Sequence, residues 1–318
     1  LPHSKSGCLF VGVFSTNGGF FNFSFTTGTP VKGFQWTFQN DEFLPTFVTT
    51  LKSNIGSYRP RQQESSIKYP ASSIQQAMLI KTLGIVFKSK KYSETSVIVD
   101  VFTEEKGMRS YIVSGVRSQR PTVSAGLLQP MTPVELVAYE KDGADLTRLK
   151  EVKPYHVFHA IPFDIRRSSV GLFMIEVARN GIQGHEAQPV LFDFLLRNFI
   201  YLDETPYSIA NLHLHFMVHL AEHLGFMPGG DYSAETPIFD MEEGVFTDLK
   251  PSHQHWLPQL SAGKFYQLLM LPMNRCHEVL FDREERRHLL KSLLNYYQLH
   301  IENFPTVHSH EILEEVMS

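Results

Sequence analysis

From Met78 onward the chain alternates short apolar runs with polar, Gly-containing breaks. Residues 80–88 and 95–102 are rich in Val and Ile, Glu104-Glu105-Lys106-Gly107 reads as a turn, and 108–116 is a third run. A longer loop over 117–130 precedes the run 132–139, and Lys141-Asp142-Gly143 leads into 145–152. β-Branched and aromatic residues bounded by Gly, Asp and Pro predict strands. Five short strands with one longer connection predict a small closed barrel of the OB type, although an SH3-like barrel would leave the same pattern.

After Pro162 the apolar spacing changes to that of helices. Asp164 is placed to cap a helix over 165–179, where Leu172, Ile175, Glu176 and Arg179 fall at helical spacing. A second helix is predicted over 189–202, with Leu191, Phe194, Leu195 and Phe199 on its apolar side. A third, over 208–224, ends at Gly225, where a left-handed cap belongs. A polar Gly/Pro-rich insert follows over 227–258. Helices are then predicted over 262–271, 283–303 and 310–317, with Asp282 and Ser309 as caps for the last two. The fold class is α+β: a barrel domain over 78–158, then an all-α domain over 159–318 with an irregular insert.

Residues 1–77 read differently. They hold none of the ten Met and ten of the 25 Phe, the latter mixed with Ser, Thr and Gly. Neither period 2 nor period 3.6 is sustained there. The expectation is a non-native upstream extension without regular structure, with the native start at Met78 and no function ahead of it.

Composition narrows the picture. Hydrophobic residues at 42% and charged residues at 19% describe a chain able to bury a core, with no apolar run long enough to span a bilayer. Without a signal-peptide pattern the expected compartment is the cytoplasm. Cys8 and Cys276 are too few for a disulfide framework or an all-cysteine zinc site. The net charge of −4 hides a segregation: residues 78–158 carry +3 and residues 159–318 carry −10. If the chain binds nucleic acid, the barrel segment is the better place to look, and a net +3 does not by itself show that it does.

Single-stranded DNA asks for cations along the backbone path and aromatic faces for the bases. Arg148 and Lys150 are two apart on one strand and share a face, as do Arg109 and Tyr111. Lys88, Lys90 and Lys91 occupy the first hairpin, and Arg117 and Arg120 the longer loop. Arg166 and Arg167 extend the path across the domain joint or act as helix caps. The bland alternative is a solvated barrel surface.

The histidines offer a rival chemistry. His215, His219 and His223 recur every four residues, and His219-Leu-Ala-Glu222-His223 has the His-x-x-Glu-His form of some zinc peptidases. A zinc hydrolase needs a further ligand, for which His213, His253 and His255 are available. The plainer reading is a packed His-rich helix beneath the insert. Cys276 beside His277 reads as an inert thiol, because sequence neighbours on a helix do not face one another. The charged run 282–287 reads as a salt-bridged helix face. A third class is an adaptor that binds protein alone.

Five segments in order resemble the RecO family of recombination mediators. They are KYSETSVIVDVFTEEKGMRSYIVSGVRS (91–118), LLQPMTPVELVAY (127–139), DLTRLKEV (145–152), Asp164-Ile165-Arg166-Arg167 and LGFMP (224–228). The resemblance covers about 78–318 and implies a non-enzymatic protein without cofactor. It implies binding of single- and double-stranded DNA, annealing of complementary strands, and help in loading RecA onto strands coated by single-strand-binding protein. RecR and the C-terminal tail of the coating protein are the implied partners, with RecA engaged indirectly. Two departures stand out. Many members hold zinc in the insert with four cysteines, whereas 227–258 has none, so that packing by Phe239, Phe246 and Trp256 must hold this loop. The loop 117–126 also has fewer basic residues than the resemblance implies.

Overall fold

A computed structural model describes residues 78–318 except 119, 120, 122, 141–144 and 318, together with the strands 10–16, 19–25 and 38–39. Ahead of Met78, β1 (Phe10–Thr16) pairs antiparallel with β2 (Gly19–Phe25), and β3 (Phe38–Gln39) pairs with β2. The sequence reading predicted no regular element here, because Phe, Ser and Gly follow one another without alternation. Strand propensity of the Phe- and Val-containing runs accounts for the pairing.

The barrel is built from β4 (Met78–Lys91), β5 (Val97–Thr103), β6 (Gly107–Val113), β7 (Pro133–Glu140) and β8 (Leu146–Pro154). It closes in the order β4-β5-β6-β8-β7, with β6 and β8 parallel and the other pairs antiparallel. This is an OB-like barrel, as the strand pattern predicted. Alternate residues fill its interior: Val97, Val99 and Val101 from β5, Tyr111 and Val113 from β6, Leu136 and Ala138 from β7, and Leu149 from β8.

A bulge in β4 decides what the outside of the barrel meets. The β4–β5 register shifts between Val86 and Lys88, at Phe87. Before the shift, Ile85 and Phe87, with Phe102 of β5, are buried in one core with helical residues such as Phe173 and Phe192. The Phe102 and Phe192 rings lie 6.3 Å apart. After the shift the outward positions fall to Lys88 and Lys90. One extra residue thus moves the strand from a packed surface to a charged one.

The helical domain comprises α1 (Ile165–Gly181), α2 (Pro189–Glu204), α3 (Leu212–His223), α4 (Gln259–Met270), α5 (Arg283–His300) and α6 (Ser309–Val316). Nine of the twelve residues of α3 are buried, which makes it the central helix. Asp164 caps α1 by accepting from the amides of Arg166 and Arg167, and Asp282 with Glu285 forms a capping box on α5. Ser309 does not cap α6 as predicted. It is the first helical residue, and the carboxylate of Glu176 on α1 accepts from the amides of His308 and Ser309 at 3.0 and 2.8 Å. The cap comes from another helix, which local sequence does not reveal. Gly225 takes φ +90°, as its position after α3 predicted.

The insert is more regular than its composition suggests. β9 (Ile238–Asp240) pairs antiparallel with both β10 (Val245–Thr247) and β11 (Trp256–Leu257). Phe239 and Phe246 are buried and stack near Phe265, with centroids 4.8 and 6.1 Å away. Trp256 is half-buried under the Lys250 ammonium.

Asp203 on α2 pins the segment that leads from the barrel into α1. Its buried carboxylate accepts from the amides of His159, Ala160 and Ile161 at 2.8, 2.8 and 2.7 Å. Asp203→Ala would strand those donors and is expected to cost about 4 kcal/mol. Urea unfolding checks this: the midpoint should fall clearly, and an unchanged midpoint would contradict it.

Candidate nucleic-acid interface

The barrel register lines up Lys90 with Ile98, Ile98 with Ile112, and Ile112 with Arg148. Paired residues share a face, and Val97 and Val99 point inward, so this row stands on the outer face of β4, β5, β6 and β8. Lys90 and Arg148 are exposed at its ends, and the two isoleucines between them are half-exposed. The neighbouring outer row is Lys88, Asp100, Ser110 and Leu146, with Ser110 donating to Asp100 Oδ1 at 2.6 Å. Lys150 lies exposed further along β8, where the β7–β8 register shifts. The structure therefore gathers Lys88, Lys90, Arg148 and Lys150 around the outer face of β5 and β6.

The β4–β5 hairpin adds the tip. Its loop is fixed by Tyr92 N–H and Ser93 N–H donating to Ser96 O at 3.0 and 3.1 Å, and by Ser96 N–H donating to Ser93 Oγ at 3.2 Å. Arg117 N–H donates to Thr95 O at 3.3 Å, so the loop after β6 docks on this hairpin. Lys91 and Arg117, both exposed, are thereby brought to one end of the barrel. Between them Tyr92 is 59% exposed. The sequence reading passed over Tyr92, although its place directly after Lys90 and Lys91 was a visible signal. It also passed over Arg179, which is exposed in the last turn of α1 and close enough to act on Lys88. No sequence pattern pairs those two.

Three expected contact residues are used elsewhere. Tyr111 is fully buried inside the barrel, where its hydroxyl donates to Glu140 Oε1 at 3.3 Å, and it has no face to offer a base. Arg109 shares its inward phase, as predicted, but that phase leads to the joint with the helices. There Arg109 Nη1 donates to Met108 O and His185 O, both at 2.9 Å. Period 2 says which residues share a face and leaves open which face is the interior. Arg167 donates to the carbonyls of Leu202, Asp203 and Thr205, closing the end of α2; of its two predicted roles, it takes the capping one. Arg166 is exposed on the first turn of α1. Arg120 lies outside the described residues.

Charge on the face is largely uncompensated. Lys81 is paired with Glu135 at 2.7 Å and Lys153 with Glu151 at 2.9 Å. Lys90, Lys91, Arg117, Arg148 and Lys150 form no ion pair with any described residue. Lys88 is held below the usual lysine range, first by burial and then by Arg179, with Asp100 opposing. Two cations that raise each other's energy favour an anion beside them.

The histidines of α3 serve the packing of α4. His215 Nε2 meets Leu271 O at 2.9 Å, and His219 meets the Leu268 carbonyl, both at the C-terminal end of α4 where carbonyls lack helical partners. The His223 ring lies 4.5 Å from that of Phe194, and Glu222 is exposed. Among the described residues no three His, Cys, Asp or Glu side chains are grouped to hold a metal, so the His219, Glu222 and His223 motif does not converge as a zinc peptidase would require. Burial pushes the Cys276 thiol up to about 12, which keeps it protonated and inert.

Residues 78–158 match the family described as Recombination protein O N terminal, and residues 162–310 the one described as Recombination protein O C terminal. The chain belongs to the RecO family. The DNA repair protein RecO of Bacteroides fragilis is 34% identical to it over 240 residues, covering 75% of this chain and 99% of the relative. The protein of the same name from Flavobacterium psychrophilum is 35% identical over 244 residues, covering 76% and 100% respectively. That from Phocaeicola vulgatus is 32% identical over 241 residues, covering 76% and 100%. Among the described residues, no helix is long and apolar enough to cross a membrane.

Proposed function

We propose that this RecO-family chain is a DNA repair and recombination mediator that binds DNA on the outer face of β5 and β6. The observation that carries this reading is the row from Lys90 to Arg148, two unpaired cations flanking apolar side chains on an OB-like face. Lys88, Lys91, Arg117 and Lys150 continue the positive track on the barrel, and Arg179 and Arg166, both on α1, carry it to the helical domain. Phosphates neutralised along the track release counterions, which drives binding to single and double strands alike. Two strands held with their charge masked can pair, so annealing needs no nucleophile, general acid or cofactor. On the strength of family membership we propose in addition loading of RecA, and partnership with RecR and with the tail of single-strand-binding protein.

Within this reading Tyr92 supplies the aromatic face expected of Tyr111. Tyr92→Ala is expected to weaken binding of a single-stranded oligonucleotide by roughly tenfold while leaving duplex binding nearly unchanged, since only unpaired bases can stack on the ring. Tyr92→Phe should bind as the parent does. Equal losses on single strands and duplex would assign Tyr92 a different role.

We further propose that residues 1–77, which lie outside both family matches, take no part in DNA binding. A chain starting at Met78 should keep the affinity and melting temperature of the full chain. A fall in either would show that the leading segment belongs to the working protein.

A further inference from the structure

Asp100 stands in the middle of the outer face of β5 and β6, where a track for phosphates has no use for an acid. It is the only carboxylate in the two outer rows, Lys88, Asp100, Ser110, Leu146 and Lys90, Ile98, Ile112, Arg148. Lys88 is its register partner, yet Asp100 makes no ion pair with any described residue. Its one bond lies within the face: Ser110 Oγ donates to Oδ1 at 2.6 Å. That bond fixes the rotation of the carboxylate. Oδ2 has no partner among the described residues and is not buried, so it faces solvent.

The neighbours of Asp100 decide which part of a strand meets it. Ile98 and Ile112, two residues away on the same face and half-exposed, make an apolar floor with no donor for a phosphate. A phosphate over Asp100 itself would meet a like charge. Cations stand on either side instead, Lys88 and Lys90 on β4 and Arg148 on β8. Phosphates therefore settle at the flanks, and bases cross the middle with an edge towards Asp100. An ionised carboxylate only accepts hydrogen bonds. Cytosine, adenine and guanine carry exocyclic amino groups that donate to it, whereas thymine has a carbonyl oxygen, O4, where cytosine has its amino group.

Resting on the reading of this face as a DNA interface, we propose that Asp100 selects bases: its Oδ2 accepts from the exocyclic amino group of an unpaired base lying on Ile98 and Ile112. The chain then prefers single strands of amino-bearing bases to runs of thymine. The plainer roles for an acid at this position fit less well. A carboxylate kept to neutralise Lys88 would stand within ion-pair distance of it, and one kept for the fold would be bonded at both oxygens or buried. Asp100 is half-exposed, bonded at Oδ1 alone and unpaired with Lys88.

The test is fluorescence anisotropy of labelled oligo(dC), oligo(dT) and oligo(dU) of equal length, titrated with the full chain at one low salt concentration. All three carry the same phosphates, so the cationic track contributes equally to each. Oligo(dC) is expected to bind roughly fivefold tighter than oligo(dT), the low end of base discrimination because one contact is made and not two. Oligo(dU), which lacks the thymine methyl but keeps O4, should bind as oligo(dT) does. Asp100→Asn keeps an acceptor for Ser110 and adds an amide N–H for O4. It should erase the preference and tighten binding of oligo(dT), since an anion leaves the track. Should Asp100→Asn fail to fold, as judged by circular dichroism, the ratio of oligo(dC) to oligo(dU) in the parent decides, because those bases differ at the amino group and not at a methyl. The proposal is overturned by equal binding of the three strands, by tighter binding of oligo(dT) or oligo(dU), by a preference that survives in Asp100→Asn, or by an equal loss on all three in that variant. Each of those outcomes leaves the DNA interface standing. Absence of binding to every strand would sink the DNA reading itself, and this proposal with it.

Discussion

Replacing Lys90 and Arg148 together by glutamate is expected to lower affinity for a single-stranded oligonucleotide by roughly a hundredfold at low salt. The two residues close the ends of one cross-strand row, so a backbone lying across β5 and β6 meets both. Each reversal removes a cation from the track and puts a carboxylate against a phosphate. The salt dependence should flatten as well: with two fewer phosphates neutralised, the slope of log affinity against log salt falls by about 1.4 on single strands. Both side chains are exposed and unpaired, so the melting temperature should hardly change. That separates loss of a binding face from loss of the fold. Lys81→Glu is a useful contrast, because Lys81 is already paired with Glu135 and lies outside the row. Its effect should be small.

Acid is expected to weaken the fold steeply, and the cause lies in α3. Burial, and then the nearby Arg286, hold His213 down to about 3; burial, and then His219, do the same to His215. Both are neutral in the native protein. In the unfolded chain each takes up a proton near the ordinary histidine value of about 6.5. Below that pH the unfolded state binds more protons than the folded one, so their stabilising effect is complete above about 6.5 and is lost progressively towards 3. Between pH 7.5 and 5.0 the two together should cost about 4 kcal/mol, or about 10 °C in melting temperature. Melting curves across that range check it, and His213→Leu, which removes one of the titrating groups, should show roughly half the fall. A melting temperature that stays level from pH 7.5 to 5.0 would contradict the account of α3 as a helix packed with neutral imidazoles.

Most of the architecture could be read from the sequence because its signals are local. Runs of Val and Ile marked the barrel strands, and Asp164 and Asp282 marked helix starts that the structure keeps. The binding face was less legible because it depends on phase and on tertiary neighbours. A single bulge at Phe87 sets whether the lysines of β4 point to solvent or to the helices. Arg109 and Arg167 look like any other surface arginine in sequence, yet backbone carbonyls claim both. The pairing of Lys88 with Arg179, like the cap that Glu176 gives α6, joins residues that only folding brings together. The His-x-x-Glu-His spelling misleads for the same reason: spacing brings the rings onto neighbouring turns, but the end of α4 decides what they bind.

The central claim is that the outer face of β5 and β6 binds DNA through its cations. Fluorescence anisotropy of a labelled single-stranded oligonucleotide, titrated with the full chain across a salt series, tests it most directly. Binding that tightens steeply as salt falls, and that speeds annealing of a complementary strand, is the predicted result. Absence of binding at low salt would contradict the claim and leave an adaptor that binds protein alone.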